Sequence, residues 1–287
     1  MSPDRSGAVA VVTDSTAYLP GELIERHAIR VVPIHVVIDG VSRPEGTEVT
    51  PADVAYALRQ RRTTVTTSRP GPEEFTSAYG ELLDAGYPAV VSIHMSGKLS
   101  GTYQAAEQAA DAYGDRVRVL DSGSTGMGLG FPVLAAARAA AAGADADAVC
   151  EAATAAIART SAYFYVDTLE FLRRGGRIGA AEALLGTALA VKPILQFTDG
   201  AVVMKEKVRT SGRALARLEE LAVAAAGDGG ADVAIHHLEA AERADQLAAR
   251  LRTEVPRIGE VYLCELGGAV AAHVGPGSVC AVVCREP

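Results

Sequence analysis

The sequence predicts an α/β protein of two domains. A parallel-sheet N-terminal domain is expected over residues 1–160 and a mixed-sheet α/β domain over 161–287. Three observations carry this. Apolar β-rich runs alternate with helical runs through the first half, as in strands joined by helical crossovers. The first run, Ala8-Val9-Ala10-Val11-Val12-Thr13, is apolar throughout, as a strand covered on both faces is. In the second half, Thr198-Asp199-Gly200 stands between two β-rich runs, a hairpin signal foreign to a purely parallel sheet.

The elements follow in order. Residues 30–38 form a second β-rich run. Thr50 and Pro51 read as N-cap and first helical residue of a helix toward Gln60. A helix over 72–85 closes at Gly86, a strand covers 89–94, and the next helix is expected over 99–113. A strand over 117–120 stops at Asp121, and alanine-rich helices cover 128–142 and 145–159. Beyond Ser161 come a strand at 162–166, a short helix, the loop Gly175-Gly176-Arg177 and a helix over 180–190. The hairpin strands 193–197 and 201–205 follow. Helices at 213–226 and 240–252 and strands at 232–236, 260–265 and 278–284 complete the chain.

Composition narrows the function. Hydrophobic residues make up 49 % and charged residues 22 %, a globular balance. The net charge is −8, and no basic stripe offers phosphate contacts, so nucleic acid is not an expected partner. The N-terminal residues do not read as a secretory signal, and the apolar stretch 131–144 contains Arg138 and runs into Asp145 and Asp147. Cys150, Cys264, Cys280 and Cys284 have no CxxC spacing, so buried reduced thiols and a cytoplasmic location are expected, with no metal.

Three loops in the first half share one chemistry: Thr13-Asp14-Ser15-Thr16, Thr67-Ser68-Arg69-Pro70, and Ser96-Gly97-Lys98-Leu99-Ser100-Gly101-Thr102. Each alone is what caps and turns use. Together, at strand ends ahead of helices, they gather donors suited to an anion. The common enzyme templates fail. Gly97-Lys98-Leu99-Ser100-Gly101 places its serine one position late for a nucleophile elbow, and Lys98 is followed by Leu99 rather than Ser or Thr. Gly126-Met127-Gly128-Leu129-Gly130 lacks dinucleotide spacing, and His236 and His237 point to opposite faces of a strand. His35 and His94 are expected to pack or cap. His273 stands apart, among small residues that let a backbone or a ligand come close.

These loops occur in order with Gly175-Gly176-Arg177-Ile178, Lys192-Pro193-Ile194 and His273-Val274-Gly275-Pro276-Gly277. The ordered set resembles the DegV family from end to end. The resemblance implies a Rossmann-like N-terminal domain and a C-terminal domain that closes over an acyl chain. It implies a long-chain fatty acid held between the two and no cofactor. It further implies a separate ATP-dependent kinase subunit that converts the presented carboxylate to acyl-phosphate, so that the chain is a carrier and not itself an enzyme. It leaves room for transient membrane contact. Thr67, Ser96 and Gly97 match the family's carboxylate loops, His273 matches the histidine that closes on the head group, and Arg177 matches an arginine that meets the kinase. Two positions depart from the family: Arg69 stands where glutamine is usual, and Gly97 where a second serine is usual.

Physical chemistry fits that reading. About fourteen buried methylenes at about 0.8 kcal/mol each give roughly 11 kcal/mol gross, from which association costs are subtracted. The carboxylate must be hydrogen-bonded on leaving water. Thr67 and Ser96 hydroxyls, a His273 donor and the dipole of the helix expected from residue 99 supply that. Leu99, Phe131, Leu184, Leu185 and Leu189 are the candidate tail wall. The alternative is a phosphotransferase or hydrolase using Ser96 or Ser100 with His273.

Overall fold

The computed structural model describes residues 8–60, 62–179 and 192–286. The chain divides into two units. The first holds residues up to Ile34 together with Arg69–Ala158, and the second holds His35–Ser68 and the chain from Arg159 onward. The last crossing lies beside the division expected near 160. Residues 35–68, expected in the first domain, belong instead to the second unit. The reason is local. Pro33 has no N–H for a ladder, so the run 30–38 breaks into two strands, Arg30–Val32 and His35–Ile38, which enter different sheets.

The first unit carries a four-stranded parallel sheet in the order Arg30–Val32, Ala10–Asp14, Val90–His94, Val117–Asp121. Phe75 and Tyr79 of the helix Pro72–Asp84, with Ala105, Ala106 and Ala109 of the helix Thr102–Ala110, pack on Val12 and Val90. The helix Met127–Ala141 packs with Ala10–Asp14 and Val90–His94. Its Gly130 permits close approach, since a Cβ there would lie 2.8 Å from the carbonyl oxygen of Ala17. Strand order reverses between Ala10–Asp14 and Val90–His94, and ligands of open α/β sheets bind beyond such a point.

At that point lies a buried polar chain. Asp14 Oδ1 accepts from the amide and the hydroxyl of Thr16, at 3.0 and 2.6 Å. Its Oδ2 accepts from the Met95 amide at 2.9 Å and lies 3.1 Å from His94 Nδ1. His94 Nε2 is 2.7 Å from Ser92 Oγ, which accepts from the Tyr79 hydroxyl at 2.9 Å. Asp14, Ser92 and His94 are fully buried, so this serine–histidine–aspartate run is closed to substrate and ties two strand ends together. His94 packs, as expected. The helix expected from residue 99 begins at Thr102, because Ser96 O takes the amides of Leu99 and Ser100 in a tight turn.

The second unit has a six-stranded mixed sheet in the order Ala201–Val208, Lys192–Thr198, Thr160–Tyr165, Val279–Arg285, Ala231–His237, Ile258–Glu265. Its expected hairpin turns through Asp199 and Gly200, both at positive φ (48° and 78°), as a two-residue turn requires. Leu218 of the helix Ser211–Ala226 and Leu247 of the helix Ala241–Glu254 cover one face through Val233, Ile235 and Ala281. The alternate residues Phe164, Leu195, Ala234 and Val282 are buried on the other face. Three antiparallel strands, Val41–Pro44, His35–Ile38 and Val65–Ser68, form a separate sheet. Beside them runs the helix Pro51–Arg59, opened by a Thr50–Asp53 capping box. The helix expected at 180–190 lies outside the described residues.

Asp14→Ala is expected to lose roughly 3–5 kcal/mol in chemical denaturation, because four buried donors lose their acceptor. A loss below about 1 kcal/mol contradicts the structural role.

Candidate functional site

His273 sits near the end of the helix Gly268–Val274, an element not among those expected from the sequence. Glycine and alanine let this short helix settle closely. A Cβ at Gly268 would lie 3.0 Å from Val54 Cγ2 and 3.2 Å from Val36 Cγ2. The buried Glu45 carboxylate accepts from the Ala269 amide at 2.8 Å and fixes the first turn. Gly275, at φ 74°, ends the helix, and Ser278 Oγ donates to the carbonyls of Val274 and Gly275.

This placement brings His273 Nε2 to 2.9 Å from Thr67 Oγ1. Thr67 is half-buried in the antiparallel strand Val65–Ser68, not in a loop beyond a parallel strand. Against the other side of the imidazole lies Gly175, whose Cβ would collide with Nδ1 and stand 2.8 Å from Cε1. The Gly175 carbonyl accepts from Arg177 Nη1 at 2.6 Å. Arg177 is half-buried, and its charge adds to the effect of burial in lowering the His273 pKa to about 4. Thr67, the Gly175 and Arg177 loop, and His273, three places far apart in sequence, thus form one cluster in the second unit.

The other expected head-group residues lie in the first unit. Ser96 is fully buried, and its Oγ accepts from the Lys98 amide at 3.2 Å. The Gly97 amide donates to Asp121 Oδ2 at 3.0 Å. A Cβ at Gly97 would stand 2.7 Å from Gln104 Nε2 and 3.2 Å from Asp121 Oδ2, so the missing serine leaves room that Gln104 and Asp121 occupy. Ser100 Oγ is 2.8 Å from Thr102 Oγ1. Arg69 lies across Gly101, where a Cβ would be 2.8 Å from its Cδ and 3.0 Å from its Nε. The guanidinium stem therefore rests on the loop that carries Ser96.

Of the candidate tail residues, Phe131 is buried on the helix Met127–Ala141 and Leu99 is half-buried in its turn. Leu184, Leu185 and Leu189 lie outside the described residues. The four cysteines are free and half-buried rather than buried. Among the described residues, no group of three or more metal-ligating side chains could hold an ion, and no helix is long and apolar enough to cross a membrane.

Sequence reasoning missed Asp14 as a hub, Glu45 as a cap and Gly175 as the floor under His273. Only the glycine pair at 175–176 carried a signal, and it read as a loop.

A sequence model described as "Uncharacterised protein, DegV family" matches residues 8–286. The chain belongs to the DegV family. A DegV domain-containing protein of Streptomyces coelicolor is 51 % identical over 275 residues, covering 96 % of this chain and 98 % of that one. One from Mycobacterium tuberculosis is 42 % identical over 272 residues, covering 94 % and 95 %. Among solved structures, a DegV family protein from Thermus thermophilus, described by its fatty acid binding, aligns with a TM-score of 0.92 at 34 % identity. That alignment covers 97 % of this chain and all 100 % of the other. DegV from Bacillus subtilis, a fatty acid binding protein, aligns at 0.89 with 34 % identity over 98 % and 100 %. The DegV fold and its two-domain α/β plan are thus shared.

Two outcomes follow from the His273 cluster. Gly175→Ala expels the imidazole and costs roughly 1–3 kcal/mol by overpacking. The loss of the His273–Thr67 contact is read by NMR of the histidine ring. Acid sensitivity is the second. The unfolded chain takes up the His273 proton near pH 6.5 and the folded chain only near 4. Folding is therefore penalised progressively as pH falls through that window, and no further below it. His273→Gln should lose less stability than the wild type between pH 7 and 4 in urea titrations. An equal loss contradicts the assignment.

Proposed function

We propose that this DegV protein is a carrier of long-chain fatty acids. It binds the carboxylate through Thr67, Ser96 and His273 and presents it to a separate ATP-dependent kinase subunit. The observation that carries this is the hydrogen-bonded pair of Thr67 Oγ1 and His273 Nε2 at 2.9 Å. It is supported by the fatty acid binding of the Thermus and Bacillus relatives.

The chemistry suits presentation. A carboxylate that attacks the γ-phosphorus of ATP must be held in place and still keep its charge and lone pairs. Hydroxyl donors and a neutral imidazole do that without the full counter-charge of a paired guanidinium. The carboxylate oxygen forms the new P–O bond, ADP leaves, and acyl-phosphate results. The kinase supplies the nucleotide site, and Arg177 faces it. Among the described residues, the buried sheet face with Phe164, Leu195 and Val282 in the second unit, and Leu99 and Phe131 in the first, offer apolar surface for the tail. The Gly97 amide, engaged by Asp121, contributes only if Asp121 turns away. The setting proposed is the cytoplasm.

Native mass spectrometry of the purified protein, then mass analysis of its denatured extract, tests the carrier reading. A mass excess of one C14–C18 acid per chain is expected. A clean protein that takes up no added palmitate or oleate would refute it. Thr67→Val should weaken palmitate binding roughly tenfold to a hundredfold, the worth of a hydrogen bond to a charged group. Arg177→Ala should leave palmitate affinity unchanged and lower acyl-phosphate formation once the kinase subunit is supplied.

A further inference from the structure

We infer that Phe171 and Asp167 are positioning residues for the carboxylate site: they grip Gly275 and Gly277, just beyond the helix Gly268–Val274, and so set where His273 can reach. This rests on the carrier reading above and adds to its site two residues that touch no ligand.

The helix that carries His273 has seven residues, chiefly glycine and alanine. A helix so short does not hold its place unaided. Its first turn is fixed by Glu45, Val36 and Val54. Its His273 end meets residues 167–175 at three successive points. The imidazole lies on Gly175. The Phe171 ring lies on Gly275, where a Cβ would collide with Cδ2 and stand 2.8 Å from Cγ. The Asp167 carboxylate lies on Gly277, where a Cβ would collide with Oδ2 and stand 2.8 Å from Cγ. Every fourth residue of one segment thus meets every second residue of the other, in antiparallel order. Gly275 and Gly277 turn the chain at φ 74° and 85° and leave bare the surface that the ring and the carboxylate occupy.

Both grips are themselves anchored. The Gly175 amide donates to the Phe171 carbonyl at 2.9 Å, so the ring and the floor under His273 share one helical turn. The Tyr165 hydroxyl donates to Asp167 Oδ1. Lys192 Nζ donates to the Asp167 carbonyl at 2.9 Å, which gives the Lys192-Pro193-Ile194 run a part in the site. Arg243 Nη1 stands 3.8 Å from Asp167 Oδ2 and donates to the Gly277 carbonyl at 3.4 Å, bridging the two sides of the contact. Asp167 and Arg243 are each more than a third exposed, and an ion pair at that distance adds little to stability. What these contacts fix is place, and a donor displaced by about 1 Å loses much of its hydrogen bond to a ligand.

Two measurements on the full chain test this. Ring NMR of His273 needs no ligand, and its signals are assigned by their absence in His273→Ala. Phe171→Ala is expected to shift or broaden them, and Phe171→Tyr, which keeps a ring on Gly275, to leave them in place. Palmitate affinity of the delipidated chain by calorimetry is the second. Phe171→Ala is expected to weaken binding about tenfold, and by no more than about twofold when His273 is already alanine. Asp167→Asn is expected to weaken binding about threefold, with the same dependence on His273, and carries both readouts if Phe171→Ala does not fold. Unmoved ring signals overturn the inference. So does an equal loss of affinity with and without His273, the mark of a general loosening; in either case the carrier reading stands. Wild-type protein that binds no palmitate would overturn both.

Discussion

The hydrogen bond between Thr67 and His273 joins positions 206 residues apart, and the candidate site depends on it. It exists because residues 35–68 leave the first unit at Pro33 and fold with the second. The strand Val65–Ser68 then pairs with His35–Ile38, and the helix Gly268–Val274 comes down on Val36 and Val54. Glu45, from the same excursion, caps that helix. One excursion of the chain therefore supplies the threonine, the packing surface and the cap that set the histidine in place.

Burying a carboxylate is the other constraint, and the first unit already meets it once. Asp14 is fully buried and surrounded by the Thr16 amide and hydroxyl, the Met95 amide and His94. Without such donors the charge would cost several kcal/mol. A fatty acid head group leaving water faces the same demand. In the function proposed above, hydroxyls and a neutral imidazole meet it while the carboxylate stays ionised and nucleophilic. The tail contributes affinity through apolar area, and the head group sets which end is presented.

What the sequence made legible was local. Thr50 and Pro51 announce a helix start because the cap lies within four residues of its partner, Asp53. Asp199-Gly200 announces a turn because the backbone angles it needs favour those residues. The parallel sheet followed from apolar runs and alternation. In the excursion at 35–68 only the Asp39-Gly40 hairpin is local; the pairing of His35–Ile38 with Val65–Ser68 and the packing under the helix Gly268–Val274 join distant residues and were not legible. The helix at 268–274 was hidden by glycines whose low helix propensity is offset by packing on Val36 and Val54. Asp14 and His94 are 80 residues apart, and no spacing rule links them. Thr67, Ser96 and His273 came from the ordered family motifs. The structure adds that Thr67 and His273 touch, and that Gly175 is why the imidazole fits.

The central claim is that a bound acid is held as an ionised carboxylate by neutral donors. Carbon-13 NMR of palmitate labelled at its carboxyl carbon, bound to the full chain and followed from pH 8 to pH 5, tests it most directly. A single bound resonance that stays at the carboxylate position across that range, and moves when Thr67 is changed to Val, is the predicted result. A bound resonance that titrates like the free acid in solution, indifferent to Thr67, would contradict the account.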